Sequence, residues 1–156
     1  MGRLRITLLT FLFILVVGVA TGDAQSRQVL WYQEMEVARQ AAEKDGLPIL
    51  LFITYSGHND EDIRLRGDVF SSPEFVEFAR KRLVLLETDF ASSGSSDLSR
   101  MQANRRMAKN LKVNTFPALF LLDHFKGKTT RIPHEGKSEK SLIASIESIY
   151  FDQPMK

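Results

Sequence analysis

The chain has 156 residues, 44% of them apolar, 10% aromatic and 26% charged, which suits a globular domain and excludes a collagen, a long coiled coil or a disordered tail. Its formal charge is only +2, so electrostatics give no reason to expect a nucleic-acid partner. It contains no cysteine, which excludes a disulfide, a thiolate nucleophile, a cysteine-held metal and a lipid anchor at cysteine.

The first segment concerns address rather than fold. Arg3 and Arg5 precede an apolar stretch of 15 residues, 6–20, and Gly22-Asp23-Ala24 offers small residues at the two positions a signal peptidase reads. The stretch is short of the roughly 20 residues that span a bilayer. A signal peptide over 1–24 is therefore expected, with no membrane attachment after its cleavage, and an uncleaved anchor is the weaker reading. The remaining 25–156 form one exported domain, periplasmic or secreted, large enough to bury a core without covalent bridges.

Trp31, Met35, Ala38 and Ala42 recur at helical spacing and predict a helix over 31–45, stopped by Gly46 and Pro48. The continuous apolar run 49–53 predicts a central strand covered on both faces. After the polar patch 56–62, Ser72-Pro73-Glu74 makes a helix start with serine as N-cap and proline where a missing N–H costs nothing. Phe75, Phe78 and Ala79 form that helix's inner face. A second strand is predicted over 83–90, a flexible loop over 91–96, and a helix over 98–111 with Met101, Met107, Ala108 and Leu111 inward. Its basic side, with Arg100, Arg105, Arg106 and Lys109, lacks the interleaved aromatics that stacking on nucleic acid needs and reads as a solvated face. A third strand is predicted over 116–123, a hairpin turn at Phe125-Lys126-Gly127-Lys128, a fourth strand over 129–133 and a last helix capped by Ser138. This order predicts an α/β sandwich, with a mixed sheet of about four strands flanked by helices.

In that order, over roughly 31–150, the residues resemble the thioredoxin-like superfamily, in particular its exported bacterial members. The segment from Trp31 through Gly46 and Pro48 into the first core strand is similar to their entry helix. Asp68-Val69-Phe70-Ser71-Ser72-Pro73-Glu74-Phe75 is similar to the segment after their active-site helix, and 83–90 to the strand that follows. Thr115-Phe116-Pro117 resembles the loop whose proline is cis in this fold.

The departure is in the chemistry. Counted back without gaps from Val69-Phe70, the family's W-C-x-x-C falls on His58, Asn59, Asp60, Glu61 and Asp62. Asn59 and Asp62 thus stand at the two expected cysteine positions. Exchange needs one sulfur to attack and another to resolve the mixed disulfide, and neither an amide nor a carboxylate does either. One reading of the segment is helix capping, with Asn59 as N-cap and three acids in the first turn, where negative charge is favoured. A second is a metal-assisted or other non-sulfur enzyme using His58 to Asp62. No paired-histidine or calcium-loop spacing supports it, and neither a metal nor a cofactor is expected. The third, implied by the resemblance, is a polypeptide-binding surface at Thr115, Phe116 and Pro117, with Tyr55 and His58 completing an apolar rim. The expectation is a non-enzymatic, redox-inactive module that binds a polypeptide client or partner, with a purely structural domain as the remaining alternative.

Overall fold

A computed structural model describes residues 29–55, 59–90 and 98–151. The expected signal peptide, His58 and the loop over 91–96 lie outside the described residues. The first core strand, β2 (Ile49–Thr54), is buried at every position, as its unbroken apolar run requires. β3 (Val84–Asp89) pairs with it in parallel on one side and β4 (Ala118–Asp123) antiparallel on the other. β5 (Lys128–Ile132) adds antiparallel to β4, and a two-residue strand, β1 (Trp31–Tyr32), adds in parallel to β3. The mixed sheet runs β1-β3-β2-β4-β5.

Because side chains alternate along a strand, β2 feeds two cores. Leu50 and Phe52 face α3 (Pro73–Arg82), α5 (Glu139–Tyr150) and a π-helical stretch, Leu65–Phe70, that continues α2 (Asp60–Arg64). Ile49, Leu51 and Ile53 face α1 (Met35–Asp45) and α4 (Leu98–Asn110). Ser72 and Ser138 cap α3 and α5, accepting from Phe75 N–H at 3.2 Å and Ser141 N–H at 3.3 Å.

The start of the first helix differs from the expectation. Trp31 and Tyr32 pair with Leu85 and Leu86, and α1 begins only at Met35. The helical spacing of Trp31 with Ala38 and Ala42 is therefore coincidental. The Trp31 ring packs with Phe52 and Phe70 on one face of the sheet, while the two alanines lie buried on the other. The edge strand raises the count to five. No helix among the described residues is long and apolar enough to cross a membrane.

Candidate functional site

The antiparallel pairing of Ile53 with Ala118 brings the end of β2 beside the start of β4, so Tyr55 and Asn59 meet Phe116 at one end of the sheet. Asn59 is the N-cap of α2: its Oδ1 accepts from Glu61 N–H at 2.9 Å. With the oxygen committed there, Nδ2 faces the other way and donates to the Phe116 carbonyl at 2.6 Å. The Phe116–Pro117 peptide bond is cis.

Behind this contact lies an ionic network. His134, 2% exposed, places Nε2 3.1 Å from the Pro117 carbonyl oxygen and Nδ1 3.1 Å from Glu61 Oε1. Arg64 grips the same carboxylate bidentately, at 2.8 and 2.7 Å, and donates to the carbonyls of Lys137 and His134. The Arg64 hydrogen bonds, and after them the contact with His134, hold the Glu61 carboxyl down to about 2 against the opposing effect of burial. Glu61 thus ties the helix start to the loop after β5 and, through His134, to the cis-proline loop.

A carboxyl group held lower in the folded chain than in the unfolded one contributes stability that is complete above about pH 4.5 and is lost as pH falls toward about 2. Such a depression corresponds to on the order of 3 kcal/mol, reduced to about 2 kcal/mol by solvent screening of a side chain that is partly exposed. Glu61→Gln is expected to be less stable than the parent by about that amount at pH 7, with the gap closing as pH falls from about 4.5 toward about 2. Urea unfolding across this range checks it; a gap independent of pH would refute the assignment.

Asp62 turns elsewhere. It is 4% exposed, accepts from Thr54 Oγ1 at 2.5 Å and from Arg66 Nε at 3.3 Å, and Arg66 in turn grips Glu87 bidentately. The Arg66 guanidinium also lies 5.0 Å over the Phe52 ring. Asp60 stays exposed in the first turn. The three consecutive acids thus face three environments, two of them filled by arginine. Among the described residues no group of three or more His, Cys, Asp or Glu side chains is arranged to hold a metal.

On the outer side, Tyr55, 52% exposed, lies 6.0 Å from the half-buried Phe116 ring, which also meets Phe90 at 5.5 Å. Thr115 accepts from Arg131 at 3.2 Å. The structure therefore gathers Asn59, Glu61, Phe116 and Pro117 at one site, with Thr115 at its edge and Asp62 beneath it. Sequence reasoning missed His134, Arg64, Arg66 and Glu87.

No family model matches the chain. Two proteins of Chlamydia pneumoniae are similar to it. The thioredoxin-related protein DsbJ is 25% identical over 122 residues, which are 78% of this chain and 35% of DsbJ. The disulfide bond reductase DsbH is 25% identical over 119 residues, 76% of this chain and 72% of DsbH. The solved structure of the DsbH oxidoreductase superposes with a TM-score of 0.70 at 26% identity, over 80% of this chain and 86% of that one. The chain has a thioredoxin-like fold. A thioredoxin from Thermus thermophilus, 13% identical, shares the fold at a TM-score of 0.61 over 78% of this chain and 87% of its own. The thioredoxin-like chain spans about a third of the length of DsbJ. It also lacks cysteine entirely, and so lacks both sulfurs that thiol–disulfide exchange requires.

Proposed function

We propose that this chain is an exported, redox-inactive thioredoxin-fold module that binds polypeptides. In this reading Asn59 and Asp62 occupy the two positions that hold cysteines in exchange-competent relatives, and residues 1–24 are removed on export. The observation that carries it is the bond from the Asn59 carboxamide to the Phe116 carbonyl, which holds the helix start against the cis-proline loop without sulfur. Glu61 and Asp62 are engaged by Arg64 and Arg66, which favours a structural role for these acids over acid–base chemistry. The aromatic surface of Tyr55 and Phe116 remains for a client. The relatives' names, a disulfide bond reductase and a thioredoxin-related protein, support a protein rather than a small molecule as partner.

The test uses the chain without residues 1–24, carrying a photo-crosslinking amino acid in place of Tyr55, and reduced, carboxymethylated α-lactalbumin as an unfolded probe. Adduct is expected. Phe116→Ala is expected to weaken capture at least about fivefold, the loss that marks an aromatic anchor at an interface, with the far-ultraviolet circular dichroism unchanged. Equal capture by the two chains, or none by the parent, sinks the proposal.

A further inference from the structure

We propose that the client segment is acidic: carboxylates beside the residue that covers Phe116 are received by Arg105 and Lys109 on α4. This rests on the polypeptide-binding reading above and specifies the chemistry of the client, which that reading leaves open.

Most arginines of this chain are already engaged. Arg39, Arg64 and Arg66 hold carboxylates, Arg82 and Arg131 lie over aromatic rings, and Arg80 and Arg100 have partners as well. Arg105 and Arg106 are different. Both are exposed, and neither has a hydrogen bond, an ion pair or a ring contact among the described residues. Lys109 shares that condition, and α4 contains no acid that could pair with any of the three. Exposed positive charge gathered on one helix and left unpaired favours an anionic partner.

Its place ties this charge to the candidate site. Asp89 ends β3 beside Thr54 at the end of β2, so Phe90 follows at the end of the sheet that carries Tyr55 and Phe116. Between Phe90 and α4 lies a cleft of about 140 Å³, with Met101, Asn104 and Arg105 on the helix side. The cleft continues the aromatic surface, because the Phe90 ring meets Phe116 at 5.5 Å. Glu87 and Asp89 also line it, but Glu87 is gripped by Arg66 and Asp89 is engaged too. The Asn104 carboxamide and the Arg105 guanidinium have no partner among the described residues. The acceptors of the cleft are thus in use while these donors are not, which suits an incoming carboxylate.

Arg105 and Lys109 share a helix face and are separated by a rise of about 6 Å. Alternate side chains of an extended segment stand about 6.6 Å apart on one side, so two such acids match the two cations. A cleft with an aromatic floor takes a side chain, whereas a bilayer surface reaches only its rim, which favours a polypeptide over an anionic membrane.

Synthetic peptides of Gly and Ser with one central Phe and Glu at alternate positions on both sides test this, against the same peptides with Gln or Lys for Glu. At low ionic strength the parent is expected to bind the Glu peptide at least about threefold more tightly than the Gln peptide, and the Lys peptide most weakly. High salt is expected to remove the preference. Arg105→Gln combined with Lys109→Gln is expected to bind the Glu and Gln peptides equally, with circular dichroism unchanged because both side chains are exposed. Equal affinity of the parent for Glu and Gln peptides, or a preference that survives in the double variant, overturns this inference and leaves polypeptide binding standing. No binding of any peptide overturns both. Phosphatidylglycerol vesicles form the other arm: binding to them that the double variant loses, without a preference for Glu, assigns α4 to a lipid surface and overturns the inference. Should the double variant fail to fold, the preference of the parent and its loss in salt decide alone.

Discussion

Replacing Asn59 and Asp62 together by cysteine is expected to give a chain that closes an intramolecular disulfide and reduces insulin at least about tenfold above the blank, where the parent gives the blank rate. The argument is geometric. Position 59 caps α2 and position 62 lies three residues on in the first turn, so the two side chains share a helix face. The Glu61 N–H that now bonds the Asn59 oxygen, at the positive end of α2, favours a thiolate at that position for the same reason that it favours an acceptor. The cis-proline loop already stands against position 59 through the Phe116 carbonyl. The substitution has a cost, because removing the Asp62 carboxylate leaves the Thr54 hydroxyl without its acceptor and Arg66 with Glu87 alone. A loss of about 1–3 kcal/mol is expected from that step. Asn59→Cys alone is expected to form a mixed disulfide with glutathione and not to turn over, since no second sulfur resolves it. Mass spectrometry after oxidation reads the closure directly. If the paired variant stays reduced under oxidised dithiothreitol, positions 59 and 62 are not equivalent to the redox pair, and the binding mode built on Asn59 loses its basis.

The parts of this site that were legible in the sequence are those fixed by local chemistry. Asn59 before three acids announces a helix start, Ser72-Pro73 announces another, and the apolar run of β2 announces a strand buried on both sides. Each signal depends on neighbours a few residues away. Trp31 shows the converse. Its spacing fits a helix, yet pairing with Leu85 and Leu86, more than 50 positions on, draws it into the sheet. The π-helical stretch gives no pattern of its own, because Leu65, Val69 and Phe70 satisfy ordinary helical spacing equally well. The supports of the site are also non-local: His134 lies 73 residues from Glu61, and Arg66 lies 21 from Glu87. A histidine read alone beside a hairpin carries no sign of which acceptors will surround it. The helix start at Asn59 and the cis proline were legible, and the network that ties them together was not.

Phe52→Ala is expected to cost about 4 kcal/mol, the largest stability effect argued for this chain. Phe52 is 1% exposed at the centre of β2, and its ring lies 6.0 Å from Trp31 and 5.1 Å from Phe70, with the Arg66 guanidinium 5.0 Å above it. Truncation removes the transfer energy of the ring and leaves a cavity that β2 cannot close, since β3 and β4 hold it on both sides. Two aromatic contacts and the contact with Arg66 are lost with the ring, each worth about 0.5–1.5 kcal/mol. A domain of this size has about 5–15 kcal/mol in all, so the variant stands near the edge of folding. Trp31 is the only tryptophan, and its fluorescence during urea unfolding reports the change from inside the affected cluster. Ile63→Ala, at a side chain 66% exposed, is the control and is expected to stay within about 0.5 kcal/mol of the parent. A third substitution, Phe52→Leu, separates two ways in which Arg66 is held. Arg66 reaches Asp62 and Glu87 from above the Phe52 ring, so if the aromatic floor positions the guanidinium, Phe52→Leu should fold yet lose peptide affinity together with part of its stability. If the arginine is held by its two carboxylates alone, Phe52→Leu should cost less than about 1.5 kcal/mol and leave affinity untouched.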